Sequence, residues 1–287
     1  MNHPAPPRFR PFSFRRLLLG AAVCLSAPAA DAQTLLSHYT LDGDGTDGGS
    51  VGVNGALSGG AAYGAGGSGV GNFDRALSTA DGTNDFFVAT TANNAAFGLN
   101  AITIALWVNI DEGASTDRLV SSVNASTGFD FYIQNYTVGG GGGSVDSFNL
   151  AFGFNSTSGA VQSASEKYVS DKWLFLAVTY DATSGDVLFY SGDEGNGVAL
   201  NTSSSKAGSI SASTSNLEIG GTPATGADRS PVALFNDVRV YDGALTLSQL
   251  EAIRTTAIIP EPSQYALLFG MLSVGMIGMA RTRRRSA

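Results

Sequence analysis

The 287-residue chain reads as an all-β sandwich, on three observations. From Leu35 onward, short runs rich in β-branched and aromatic residues are separated by clusters of Gly, Asn, Asp and Ser. One run, ITIALWVNI (Ile102 to Ile110), alternates so that Ile102, Ile104, Leu106 and Val108 share one face, with Thr103, Ala105, Trp107 and Asn109 on the other. Only LSQLEAIR (Leu247 to Arg254) has a helical pattern, with Thr246 or Ser248 available as its cap. Regular short strands with turn formers between them favour a sandwich over any α/β arrangement.

Before the first strand, Arg8 to Arg16 form a basic region and Leu17 to Ala30 an apolar one. Ala30 and Ala32 place small residues where a signal peptidase reads, so residues 1–32 are expected to be a signal peptide cut before Gln33. The Arg15-Arg16 pair matches a twin-arginine signal only in part, and ordinary export fits better. Cys24 lies in the apolar region, which leaves the rest of the chain without a thiol or a disulfide.

The strands that follow are FDFYI (Phe129 to Ile133), FNLAFGF (Phe148 to Phe154), WLFLAVTY (Trp173 to Tyr180), DVLFYSG (Asp186 to Gly192) and DVRVY (Asp237 to Tyr241). DATSG (Asp181 to Gly185) and the pentaglycine Gly139 to Gly143 supply turns. The pentaglycine is expected to be a hairpin tip, because no Gly-Lys-Ser/Thr and no helix follow it to bind phosphate.

The chain ends on Pro260, Glu261 and Pro262, an uncharged run from Ser263 to Ala280, and Arg281, Arg283, Arg284 and Arg285. The prolines favour an extended backbone that a protease can bind. The run would rise roughly 27 Å as a helix, close to a hydrocarbon core, and the arginines would stay cytoplasmic. Residues 33–259 hold 8 Lys plus Arg against 22 Asp plus Glu, a formal −14. So acidic a surface argues against nucleic acid or anionic lipid and favours cations as counterparts.

The tail resembles the PEP-CTERM sorting signal of Gram-negative bacteria, in which the triplet, apolar helix and basic end occur in this order. That resemblance implies recognition by an exosortase, removal of the tail near Pro260 to Pro262, and a biofilm or cell-surface setting. A second resemblance covers most of the remainder. LLSHYTLDGDGTDGG (Leu35 to Gly49), ALSTADGTNDFFVAT (Ala76 to Thr90), AITIALWVNI, DKWLFLAVTYDATSGDVLFYSGD (Asp171 to Asp193) and LFNDVRVYDGALTLSQLEAI (Leu234 to Ile253) occur in the order expected of a LamG-like, concanavalin A-like jelly roll. The organisation expected is therefore a signal peptide at 1–32, a LamG-like domain at 33–257, and a sorting signal with a transmembrane helix at 258–287. The precursor would be held in the inner membrane by that helix alone, and the processed protein would be extracellular or on the cell surface.

Some relatives of this fold are glucanases with the pattern E-x-D-x-x-E, and glycoside hydrolysis needs two spaced carboxylates. Glu112, Glu166, Glu194, Glu218 and Glu251 do not begin that pattern, and no pair of acids is placed on one inward strand face. His38 in LLSHYTL reads as an ordinary sheet residue. No catalytic residue is expected, and the protein is read as a binder of carbohydrate or another surface component. A purely structural spacer and a glycan-active hydrolase are the alternatives.

The acidic loops are the better site. Asp42, Asp44 and Asp47 lie in DGDGTDGG, Asp81 and Asp85 in DGTNDFF, and Asp237 opens DVRVY. Hard cations take six to eight oxygens from such groups. First and last strands lying side by side would bring Asp42 or Asp47 close to Asp237 as a structural Ca²⁺ site, with Asx turns the competing reading. Of the aromatics, Trp107 and Trp173 read as core, whereas Tyr132 and Tyr136 are freer to stack on a sugar.

Overall fold

The structure is a computed structural model that describes residues 33–66, 74–79, 84–139, 146–156, 159–163, 168–222 and 229–255. All of them belong to the compact unit that begins at Gln33. In chain order the strands are β1 (Leu35–Tyr39), β2 (Gly55–Ser58), β3 (Ala62–Ala65), β4 (Arg75–Ser78), β5 (Phe86–Ala89), β6 (Ala101–Glu112), β7 (Arg118–Ser121) and β8 (Phe129–Thr137). They continue as β9 (Ser147–Phe154), β10 (Val161–Gln162), β11 (Tyr168–Val169), β12 (Leu174–Asp181), β13 (Asp186–Asp193), β14 (Ala199–Ser205), β15 (Leu217–Ile219) and β16 (Val232–Tyr241), before the helix α1 (Leu247–Arg254).

These form two antiparallel sheets of eight strands. The first runs β14-β13-β12-β6-β16-β4-β3, with β1 also on β16, and the second β10-β9-β8-β7-β15-β5-β2, with β11 also on β9. The alternation in the strands sets which side chains meet between the sheets. Ile104, Leu106, Val108, Val178 and Phe235 from the first sheet pack with Phe87, Phe129, Phe131, Leu150 and Phe152 from the second. Long non-local pairing of this kind puts β1 beside β16, with His38 opposite Arg239 and Tyr39 opposite Val238.

The 102–110 strand departs from the expected half-exposed pattern. Residues Ile102 to Val108 are buried on both faces, because α1 covers part of the first sheet's outer side. Ala105, Trp107, Phe175, Ala177, Tyr190 and Tyr241 form a second core there with Leu245, Leu250 and Ile253. Thr103 Oγ1 donates to the Gly243 carbonyl (2.6 Å) and accepts from Leu245 N (2.9 Å), turning the chain over that face. Thr246 and Gln249 then close a capping box at the start of α1. At the other end, Arg254 donates to the Asp193 carbonyl (2.8 Å) and Glu251 accepts from Val198 N (2.8 Å). Eight residues of helix span only about 12 Å, so the outer face is left open beyond Trp107.

Among the described residues no helix is long and apolar enough to cross a membrane. Both the signal peptide and the sorting signal lie outside the described residues, as do Asp81 and positions 140–143 of the pentaglycine. That glycine stretch connects β8 and β9, which pair antiparallel.

Candidate functional site

The acidic residues singled out from the sequence are brought together only in part. Asp42 Oδ1 accepts from Arg75 N (2.7 Å), and Asp44 Oδ1 accepts from Thr46 N (3.0 Å) in an Asx turn. Asp85 is buried and accepts from Gly60 N. Asp47 and Asp237 both bind His38. His38 N donates to Asp47 Oδ1 (2.8 Å), while His38 Nε2 and Asp237 Oδ1 lie 2.7 Å apart.

Asp47 also accepts from Gly49 N (2.8 Å) and Val53 N (3.1 Å), and Arg239 Nε donates to Asp237 Oδ1 (2.8 Å). Asp237 is thus held by both a guanidinium and an imidazole. Among the described residues no group of three or more His, Cys, Asp or Glu is placed to hold a metal ion. Of the three carboxylates expected around a Ca²⁺, Asp47 and Asp237 are both bound to His38, and Asp42 is bound to the Arg75 backbone.

Asp237 sits at the register shift of β16 with φ +50, and its side chain is fully buried. Burial pushes its carboxyl upward, but His38 and the Arg239 charge outweigh that and hold it below the ordinary range. His38 is thus a clasp between the first and last strands rather than an ordinary sheet residue.

A second cluster lies on the outer face of the second sheet. Ser121 of β7 is opposite both Asp130 of β8 and Glu218 of β15. Two strand spacings separate the acids, about 10 Å between backbones. Arg118 meets Asp130 at 2.9 Å and lies 4.4 Å from the centre of the Tyr132 ring. Asp130 is 1% exposed and Glu218 6%. Burial pushes Asp130 up to about 6 despite Arg118, and pushes Glu218 up to about 7 with Asp130 adding to it. These carboxyls are sealed under other groups, and Tyr132, expected to be free, is buried beneath Arg118.

The open site is a cleft of about 400 Å³ lined by Ser78, Asn109, Asp111, Asp171, Val232, Ala233 and Leu234. Its floor follows from register. Leu234 of β16 is opposite Asn109 of β6 on one side and Ser78 of β4 on the other. Their neighbours Val108, Phe235 and Leu77 point into the inter-sheet core, so these three point out, beyond the reach of α1.

Asp111 lies near the end of β6 and Asp171 in the turn before β12, both exposed. Asp171 N donates to the Ile110 carbonyl (2.8 Å), and the residue has φ +61, a region asparagine and aspartate tolerate best. Desolvation at the cleft mouth and the nearby carboxylates of Asp111 and Asp146 push the Asp171 carboxyl above its ordinary range. Behind the pair, Tyr136 Oη has two acceptors for its one proton, the Asp111 carbonyl (2.9 Å) and Asp146 Oδ2 (3.0 Å), and lies 3.2 Å from Ser170 Oγ. Tyr136 is therefore a tether rather than a stacking surface, its phenol pushed up to about 12 by burial and by Asp146. Trp107 is buried in the second core, as expected, and Trp173 packs half-buried at its edge.

Sequence reading missed Asp111, Asp171, Arg118 and Asp130 as members of sites. A charge inside the apolar FDFYI was the one local signal, since a strand spends such a residue only where a partner waits. Nothing local pairs residue 111 with residue 171.

A two-sheet jelly roll with a partly capped outer face and an open cleft lined by both polar and apolar side chains is the architecture of the lectin and glucanase class. The family model described as Laminin_G_3, concanavalin A-like lectin/glucanases superfamily, matches residues 81–251, and the chain belongs to that superfamily. Domain 4 of AbnA, a GH43 extracellular arabinanase from Geobacillus stearothermophilus, in complex with arabinotriose, is similar with a TM-score of 0.55 and 18% identity. The match covers 78% of this chain and 100% of that domain. The binding domain of botulinum neurotoxin DC in complex with SialylT is similar at 0.52 and 13%, over 79% of this chain and 51% of that one. The binding domain of Paraclostridial Mosquitocidal Protein 1 gives 0.52 and 14%, over 78% and 52%. The chain spans about half the length of those toxin domains, and at these identities the likeness is one of fold. No curated protein matches the sequence.

Proposed function

We propose that this is an exported, non-catalytic cell-surface or matrix protein whose jelly roll binds polysaccharide in the cleft between β6, β16 and the Asp171 turn. The observation that carries the reading is the lining itself. Asp111 and Asp171 accept from sugar hydroxyls, Asn109 and Ser78 both donate and accept, and Val232 and Leu234 offer an apolar wall to a sugar's C–H face. Arabinotriose on the AbnA domain and SialylT on the neurotoxin domain support saccharide as the ligand class for this architecture.

Binding is favoured over hydrolysis because the two wide-spaced acids, Asp130 and Glu218, are buried, with Asp130 held by Arg118. Export by the N-terminal signal, inner-membrane insertion through residues 263–280 and release by an exosortase complete the proposal. They are supported by the order of Pro260, Glu261, Pro262, the apolar run and the four arginines.

A polysaccharide array probed with the protein tests the reading. Binding that is lost on Leu234→Asp, with folding intact, is expected. Release of reducing sugar that disappears on Glu218→Gln would replace it with a hydrolase, and a protein that binds no saccharide would replace it with a structural spacer. Retention of residues 260–287 in the extracellular protein would remove the exosortase step.

A further inference from the structure

The sequence holds two Asn-Gly steps, Asn54-Gly55 and Asn196-Gly197. At such a step the second residue has no side chain to keep its backbone nitrogen away from the asparagine amide carbon. The fold puts the two steps in opposite surroundings. Gly55 opens β2, is paired with Ala89 of β5, and donates its N–H to the Gly45 carbonyl (2.9 Å). Its backbone lies so close to the Phe87 ring that a Cβ there would fall 2.1 Å away, and Asn54 Oδ1 accepts from Asp47 N (3.0 Å). Both groups that would have to react are engaged.

Asn196 and Gly197 are exposed, in the turn between β13 and β14. Among the described residues no acceptor takes the Gly197 N–H. Asn196 itself is held only within the turn: its N–H donates to Asp193 Oδ1 (2.7 Å), and Nδ2 donates to both Asp193 oxygens (2.9 and 3.0 Å). An exposed turn opens at much lower free energy than a paired strand. The same turn holds the helix. On one side the Asp193 carbonyl accepts from Arg254 Nη1 (2.8 Å), and on the other Val198 N donates to Glu251 Oε2 (2.8 Å). Thus α1, the cover of the second core, is latched on both sides of the Asn196-Gly197 step.

We infer that Asn196 is a deamidation site and that its isoaspartyl product loosens the α1 latch. The Gly197 nitrogen gives its proton to solvent base and bonds to Asn196 Cγ; the Cγ–Nδ2 bond breaks, and Nδ2 takes a proton from water and leaves as ammonia. Water then opens the cyclic imide, so that one water is consumed and one ammonia released. Opening at the Asn196 backbone carbonyl leaves a chain that runs through Cβ and Cγ, one carbon longer between the two latch points. A new carboxylate also stands beside Asp193 and Glu194 in a domain already at −14.

The test incubates the full chain in detergent at mildly alkaline pH, with samples taken over time, digested and mapped by mass. Asn196 should gain about one dalton, chiefly as isoaspartate, about tenfold or more faster than Asn54, whose neighbouring nitrogen must first leave a sheet hydrogen bond. In denaturant the two steps should react at similar rates. Gly197→Ala, where the Cβ would make an ordinary 3.4 Å contact with Glu251, should keep the fold and slow the reaction. Aged wild type should then melt at a lower Tm than equally aged Gly197→Ala. Equal rates at the two sites in the folded protein, or faster reaction at Asn54, overturn the assignment. A difference that persists in denaturant overturns the role of the fold, and an isoaspartyl protein with unchanged Tm overturns the latch.

Discussion

Glu218→Gln provides a stringent test of the electrostatics of this fold. Glu218 is 6% exposed on β15, and burial with the Asp130 charge across β7 moves its carboxyl from 4.5 to about 7. A folded pKa above the unfolded one means that the folded state binds the extra proton between those values. Stability is therefore highest below about pH 4.5 and falls as pH rises through about 7. A shift of this size corresponds to about 3 kcal/mol, a large share of the 5–15 kcal/mol that holds a typical domain.

Asp130, pushed up to about 6, acts in the same direction but is present in both proteins. Glutamine keeps the length of the side chain and cannot ionise. The variant should therefore gain about 3 kcal/mol relative to wild type between pH 4.5 and 8, a widening gap in Tm of roughly 6–12 °C. Thermal unfolding of both proteins across that range measures it. If the two Tm curves stay parallel, Glu218 does not titrate in the folded state and the account of the cluster is wrong.

Asp130→Ala should cost about 3–5 kcal/mol, because it strands the Arg118 guanidinium in a buried site, whereas removing both partners with apolar residues should cost far less; denaturant titrations of the single and double variants separate the two. Asp237 has the opposite sign: its folded pKa is below the ordinary value, so its contribution is present at neutral pH and lost as pH falls through the folded pKa. Asp237→Asn keeps φ +50 accessible and should flatten the acid limb of the Tm curve below about pH 4; an unchanged acid limb would remove the clasp from the account. Trp107→Ala should cost about 3–5 kcal/mol by emptying the second core, with saccharide affinity unchanged in the folded fraction; lost affinity at unchanged stability would make Trp107 a ligand platform.

Much of the sandwich was legible because hydrophobic alternation is a local record of a sheet's two faces. Ile102, Ile104, Leu106 and Val108 read as one face from the sequence and lie together in the core, and Leu247 to Arg254 reads as the helix it is. The weak strands were not legible. Gly55–Ser58, Ala62–Ala65 and Ala199–Ser205 are Gly-, Ala- or Ser-rich runs that are extended only because a neighbour pairs with them. Gly55 shows why propensity misleads there: a Cβ at that position would fall 2.1 Å from the Phe87 ring, so close packing demands the glycine.

The site was legible only as a composition. An all-β chain of strong acidity, with a helix near the end of the jelly roll and an apolar tail closed by arginines, was readable from sequence alone, because these depend on periodicity, charge count and local order. The pairing of first and last strands was also expected, and β1 lies beside β16. Tertiary structure decided which cation each buried acid meets. Arg239 reaches Asp237 and Arg118 reaches Asp130, whereas Asp111 and Asp171, 60 positions apart in the chain, meet at the mouth of a cleft. Charge pairing depends on distance in space, and in a fold of long-range strand pairs that distance is set by register rather than by neighbours in sequence.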